Sequence, residues 1–300
     1  MNKVTSSHQF RSEQAKLMYH DYYQNRAMQW PIEFEEKMYA TSFGKTYARI
    51  CGPINGEPIL LMHGTGDNST SWAPNIEALS KDYRVYAVDR INGYNMSIGT
   101  KPINNIDEII QWMNELYDSI GFQTNIYIIG MSLGAHLAAR YALAYPARVK
   151  KAVLLAPPHI GVPANPKFVL GLLSTLLPFK CFLKNFMYWM FDDLITIKGD
   201  YGKQVADIFI ENGELAVKCF TLHKFVNPKM FTKEELLNLT VPAYFLVGEN
   251  DINYSAKKAF EFVKKEAPHI KSELFTNAGH DLPISLASEV NGKILQFLKA

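Results

Sequence analysis

The sequence predicts an α/β protein whose body is a mostly parallel, doubly wound sheet of eight strands, interrupted by a helical insertion. Three observations lead there. Short runs such as Ile59-Leu60-Leu61-Met62 and Tyr244-Phe245-Leu246-Val247 are apolar throughout rather than at alternate positions. That is the mark of strands covered on both faces. Helical patterns separate these runs, and the alternation implies parallel strands joined by right-handed crossovers. The rhythm then stops: from Pro157 to about Thr240 the chain reads as helical, without a convincing strand.

In order, residues 11–29 read as a helix. Glu36–Thr41 and Thr46–Ile50 read as two strands, with Phe43-Gly44-Lys45 suited to the hairpin turn between them. Six further strands are expected at Pro58–Met62, Tyr83–Val88, Ile126–Ile129, Ala152–Leu155, Ala243–Val247 and Lys271–Phe275. Helices are expected at Ile76–Lys81, Ile106–Ile120, Ala135–Tyr145, Ala256–Glu266 and Ser285–Leu298, the third of them ended by Pro146. The expected organisation is a core of residues 1–156 and 237–300, with residues 157–236 forming a helical cap over the sheet.

Composition narrows the function classes. Of 300 residues, 48% are hydrophobic and 20% charged, enough for a sizeable core without cross-links. The net charge of +2 gives no field that would draw nucleic acid or acidic lipid. Cys51, Cys181 and Cys219 are odd in number and widely spaced. They suggest neither a disulfide framework nor a zinc site. With an N-terminus lacking a signal-like apolar stretch, they point to the cytoplasm. Residues 168–191 are strongly apolar, but Pro178, Lys180, Lys184 and Asn185 interrupt them. No membrane span is expected there; a buried or half-buried helical pair is. Oligomeric state is not legible.

The chemistry starts at Gly130-Met131-Ser132-Leu133-Gly134, directly after a strand and before a helix. Ligands of open α/β sheets bind beyond the carboxyl ends of the strands. A sharp strand-to-helix turn at that end exposes the central hydroxyl and needs small neighbours, which Gly130 and Gly134 supply. Serine is a weak nucleophile at neutral pH, so Ser132 requires a base, and the base an orienting acid. His8 and His20 precede the sheet; His159 and His223 lie in the insertion. His136 is one helical turn beyond the serine, and His269 sits at the wrong end of the last strand. His280 follows that strand at its carboxyl end, and is the base expected. The acid should follow another strand, and Gly248-Glu249-Asn250-Asp251 does. Asp251 is preferred and Glu249 is the fallback. Backbone N–H groups of Leu133 and Thr65 are expected to form an oxyanion hole. Thr65 lies in the loop His63-Gly64-Thr65-Gly66, where His63 is expected to shape the backbone rather than move protons.

Taken together, HGTG at 63–66, GMSLG at 130–134, VGEND at 247–251 and NAGHDLP at 277–283 resemble the α/β-hydrolase superfamily over nearly the whole chain. The likeness is closest to capped carboxylesterases of bacterial type. One departure is Asp89-Arg90-Ile91-Asn92-Gly93-Tyr94-Asn95-Met96-Ser97. It is one residue longer than the usual D-x-x-G-x-G-x-S and short of a glycine. The resemblance implies a serine hydrolase that cleaves carboxylic esters through a covalent acyl-enzyme. A small-molecule ester with an apolar acyl or alkyl part is the expected substrate. No metal or organic cofactor is implied. The other readings left open are a catalytically weak ligand-binding protein, and a hydrolase of a lactone, thioester, amide or C–C bond.

Overall fold

The computed structural model describes residues 9–175, 177, 179–221 and 226–300; His8, Pro178 and His223 lie outside them. Nine strands form one sheet: β1 (Glu35–Thr41), β2 (Gly44–Cys51), β3 (Glu57–Met62), β4 (Tyr83–Val88), β5 (Ile98–Gly99), β6 (Ile126–Met131), β7 (Val149–Leu155), β8 (Ala243–Gly248) and β9 (Lys271–Phe275). Their order is β1-β2-β4-β3-β6-β7-β8-β9, with β5 on the side of β2. β1, β2 and β5 run antiparallel to their neighbours; every pair from β4 through β9 is parallel. Eight strands match the sequence reading. The ninth, β5, has two residues, too few to leave a periodicity.

Among the described residues twelve α-helices accompany the sheet. Outside the β7–β8 connection these are α1 (Glu13–Ala27), α2 (Ala73–Leu79), α3 (Ile106–Ile120), α4 (Leu133–Ala144), α10 (Ala256–Glu266), α11 (Leu282–Ser285) and α12 (Ala287–Lys299). Local chemistry sets their ends. The Asn105 side chain accepts from the N–H of Glu108 to cap α3, and Gly121 at φ 86° stops it. A single helix was expected from Ser285. Instead Pro283 starts the short α11, and Leu286 leaves helical geometry at φ −115°, ψ 34° before α12.

Successive strand residues point to opposite faces, which explains the continuous apolar runs. Leu60, Met62, Ile128, Leu154 and Phe245 pack with α3, α4 and α10. Ile59, Leu61, Ile129, Val153 and Leu246 pack with α2 and α12 on the other side. A strand with only one covered face would have to alternate.

Between β7 and β8 lie α5 (Pro166–Ser174), α6 (Lys180–Met190), α7 (Asp192–Lys198), α8 (Asp200–Cys219) and α9 (Lys233–Leu237), with no ladder strand among the described residues. α1 packs beside α8 through Tyr19, Tyr22 and Phe220. The burial expected for residues 168–191 is only partly realised. α6 buries one side chain, Phe186, and α5 buries none. α5 rests on α6 where Gly171 meets Phe186, and among the described residues Val169, Leu170, Leu172 and Leu173 stay exposed. No helix of the described residues is long and apolar enough to cross a membrane.

Candidate active site

Ser132 stands at the end of β6 with φ 53° and ψ −121°. Few L residues adopt a positive φ, and such strain persists only where the surroundings enforce it. Here the Ser132 N–H donates to the Leu155 carbonyl on β7 at 2.8 Å, and close packing does the rest. A Cβ on Gly134 would lie 2.1 Å from the Met62 carbonyl oxygen, and one on Gly130 would lie 2.2 Å from the Gly134 oxygen. No side chain fits at either position, which accounts for both glycines.

His280 and Asp251 arrive from adjacent parallel strands. After β8 and β9 the two loops are joined by backbone bonds. The Glu249 N–H donates to Phe275 O at 2.8 Å, and the Asn250 N–H to Ala278 O at 2.9 Å. The Asp251 carboxylate accepts from the Asn253 N–H at 2.8 Å and from His280 Nδ1 at 2.8 Å. Because a carboxylate only accepts, Nδ1 carries the proton. Nε2 is left with a lone pair, and the Ser132 hydroxyl donates to it at 3.0 Å. His280 and Asp251 are buried while Ser132 is half-buried. Burial disfavours a charged imidazole, but the Asp251 charge and its hydrogen bond outweigh it, and the His280 pKa is raised above 6.5. Glu249, the alternative acid, is exposed and faces Lys257 at 3.9 Å.

The loop after β3 lies directly over the serine: a Cβ on Gly64 would be 3.4 Å from Ser132 Cβ. His63 is fully engaged within it. Its Nδ1 donates to Gly64 O at 2.8 Å, and its Nε2 accepts the Arg90 N–H at 3.0 Å. Burial, reinforced by the Arg90 charge, lowers its pKa to about 3, so the ring stays neutral. Leu133 opens α4, where free N–H groups and the helix dipole favour negative charge. Thr65 is exposed on the same loop as Gly64.

Several contributors to this region escaped the sequence reading. Asn212 of α8 is buried and donates to Gly66 O at 2.7 Å, so the insertion holds the loop's backbone. Arg26 of α1 pairs with Asp67 at 3.6 Å, both nearly buried. Asp89 accepts from the Ser69 and Met96 N–H groups at 2.7 and 2.9 Å, and from the Tyr23 hydroxyl at 3.0 Å. The longer Asp89–Ser97 stretch is accommodated by Asn92 at φ 55° and by Asn95, whose amide donates to Arg90 O at 2.9 Å. Only the spacing of those asparagines was visible beforehand. The contacts of Asn212 and Arg26 join residues far apart in the chain and leave no local signal.

Asp281 is the other omission. It follows His280, is 1% exposed, and among the described residues neither carboxylate oxygen accepts a well-formed hydrogen bond. It converges with Asp193 of α7 over Gly279: a Cβ there would be 3.0 Å from Asp281 Oδ1 and 3.1 Å from Asp193 Oδ2. Burial pushes the Asp281 pKa up to about 7, with Asp193 and Asp251 acting in the same direction. Its own N–H and His280 offset this only in part. Among the described residues no group of three His, Cys, Asp or Glu side chains could hold a metal ion.

With the geometry in hand, the likeness to known proteins is specific. Residues 57–178 match the model of the alpha/beta hydrolase fold family. Carboxylesterase YbfK of Bacillus subtilis is 30% identical over 299 residues, covering 98% of both chains. The uncharacterized carboxylesterase nap of the same organism is 30% identical over 95% of this chain and 93% of its own. The crystal structure of naproxen esterase (carboxylesterase NP) from Bacillus subtilis superposes with a TM-score of 0.85 at 28% identity, covering 95% of this chain and 98% of that one. Sheet order, the strained serine turn and near end-to-end similarity agree, and the chain belongs to the α/β-hydrolase family.

Proposed function

We propose that the protein is a serine carboxylesterase. The observation that carries this reading is the unbroken line from Asp251 through His280 to Ser132, at 2.8 and 3.0 Å. Ser132 attacks the ester carbonyl while His280 Nε2 takes its proton. Asp251 keeps the proton on Nδ1 and stabilises the imidazolium that forms. The backbone N–H groups of Leu133 and Thr65 receive the oxyanion. His280 then protonates the leaving alcohol, and in the second half-reaction draws a proton from water, which releases the acid and restores Ser132. Asn212 and the Arg26–Asp67 pair keep the 63–68 loop in place. The carboxylesterase names of the relatives support the same chemistry. The substrate we infer is a small ester with an apolar acyl or alkyl part. A cytoplasmic setting is inferred from the three cysteines, all free.

The test is a panel of p-nitrophenyl esters of increasing acyl length, with an anilide, a thioester, a lactone and a vinylogous β-diketone beside them. Ester turnover well above the other classes is expected. Ester turnover no faster than that of the Ser132→Ala variant would end the reading.

The pH profile follows from the base. His280 works only when neutral, and its pKa lies above 6.5. kcat/KM should therefore climb with pH, with its midpoint above 6.5. Asp251→Asn should move that midpoint down, because the charge that raises it is gone. A profile flat across this range would exclude His280 as the base.

A further inference from the structure

The loops around the site are held in place by different parts of the chain. Those carrying Asp251 and His280 are bonded to each other through the Glu249 and Asn250 N–H groups, and the Ser132 N–H is bonded to β7. Asp193 of α7 accepts from the Asn250 side chain at 3.2 Å and takes no part in these backbone bonds. The loop after β3 is suspended differently. Among the described residues two hydrogen bonds reach the backbone of residues 64–67. One is local, from His63 Nδ1 to Gly64 O at 2.8 Å, and pins the peptide that carries the Thr65 N–H. The other comes from the insertion, from Asn212 Nδ2 to Gly66 O at 2.7 Å.

Little else fixes the chain between those two points. Thr65 is exposed, Gly66 has φ 71°, and a Cβ on Gly66 would meet no atom within 4 Å. A glycine beside open space can turn in many ways. With the first anchor alone, the peptides beyond Gly64 can swing; the second, two peptides on, removes that freedom. The Arg26–Asp67 pair, at 3.6 Å, is too long for a hydrogen bond and holds a side chain, not the backbone. Asn212 is 1% exposed on the inner side of α8, among Val205, Ala206 and Ala216. A buried amide is costly unless it is hydrogen-bonded. Its oxygen has only a 3.4 Å contact with the Tyr19 hydroxyl, which donates to Tyr94 O at 2.6 Å. The strong bond this side chain makes is the one to the loop.

We infer that Asn212 makes the oxyanion hole conditional on the insertion: with α8 seated against the loop, the Thr65 N–H is held on the oxygen that becomes charged. Asn212 is then a positioning residue that acts through Gly66 and Thr65. The inference rests on the esterase reading and adds a regulation of the same site.

The experiment compares Asn212→Leu and Asn212→Ala with wild type on p-nitrophenyl acetate and on its thiono counterpart, in which sulfur replaces the carbonyl oxygen. Rates are taken per Ser132 titrated to completion with a fluorophosphonate, so an unfolded fraction is not counted. Losing an oxyanion donor outright costs about 10²–10³ in kcat. A donor left to wander should cost at least about tenfold, with KM within about threefold of wild type. The oxo-to-thiono rate ratio should fall by a similar factor, because sulfur is a weak acceptor and gains little from the hole in any of the three proteins. The pH midpoint should not move, since Asp251 and His280 are tied to the sheet. A kcat within twofold of wild type in both variants, an unchanged ratio, or a loss seen in KM alone would overturn the inference and leave the esterase reading intact. So would a shifted midpoint, which would put the damage in the triad, or the loss of titratable sites in both variants, which would give Asn212 a role in folding instead. Absence of ester turnover in wild type would overturn both.

Discussion

Ser132→Ala should lower ester turnover by about 10⁶-fold, and His280→Ala by a similar factor, because nucleophile and base act as a unit. In free-energy terms the loss is about 8 kcal/mol of transition-state stabilisation. What survives should be the contribution of bound donors alone, roughly 10³-fold over water, from the N–H groups of Leu133 and Thr65. The double variant should be scarcely worse than either single one. Asp251→Asn should cost less but still orders of magnitude, since asparagine can present its amide to Nδ1 and reverse the tautomer that exposes the Nε2 lone pair. Glu249→Gln should leave turnover near wild type, because Glu249 faces Lys257 and solvent. Steady-state kinetics on a p-nitrophenyl ester decide all of these. A loss of tenfold or less in Ser132→Ala or His280→Ala would break the assignment. A crippled Glu249→Gln would move the acid by two residues.

Asp281→Asn should change how stability depends on pH. The folded protein holds the Asp281 proton up to about pH 7, against an ordinary value of 3.8, and the side chain is 1% exposed. Below about pH 4 both folded and unfolded states are protonated. Between there and about pH 7 the unfolded state has released the proton and the folded state has not. Stability therefore falls as pH rises, by roughly 4 kcal/mol in total from this group. Above about pH 7 both states are ionised and no further loss occurs. His280, Asp193 and Asp251 face the same spot, and His280, with its raised pKa, also loses stability as pH rises. The difference between wild type and variant therefore isolates Asp281. Urea midpoints across this range should fall more steeply for wild type, with asparagine becoming the relatively better residue at high pH. Parallel curves would mean that the carboxyl is solvated rather than buried.

Much of the sheet was legible because both of its faces are covered, which turns each central strand into an unbroken apolar word. The serine turn was legible because its glycines answer a local steric demand. His280 and Asp251 could be picked out because a parallel sheet delivers the ends of its strands to one edge. Three things were not legible, each for its own reason. Asn212 and Arg26 touch the 63–68 loop through the packing of α8 and α1, contacts that no local pattern records. Asp281 follows the expected base in the stretch His-Asp-Leu-Pro, and nothing in that stretch signals burial; the closeness of Asp193 and Gly279 is visible only in the folded chain. The segment around α5 was read as a buried or half-buried helical pair, and the pair is there; its exposed side was not legible because apolar composition reports only that a face wants cover. It does not say whether the protein itself supplies that cover.

The most direct measurement is the site of covalent capture by a fluorophosphonate, an electrophile that reacts with a serine only when its hydroxyl is activated. Peptide mass spectrometry of the treated wild type should find a single phosphonyl adduct, on Ser132, and none in Ser132→Ala or His280→Ala. An unlabelled wild-type protein, or an adduct that persists at full yield once the imidazole at 280 is gone, would contradict it.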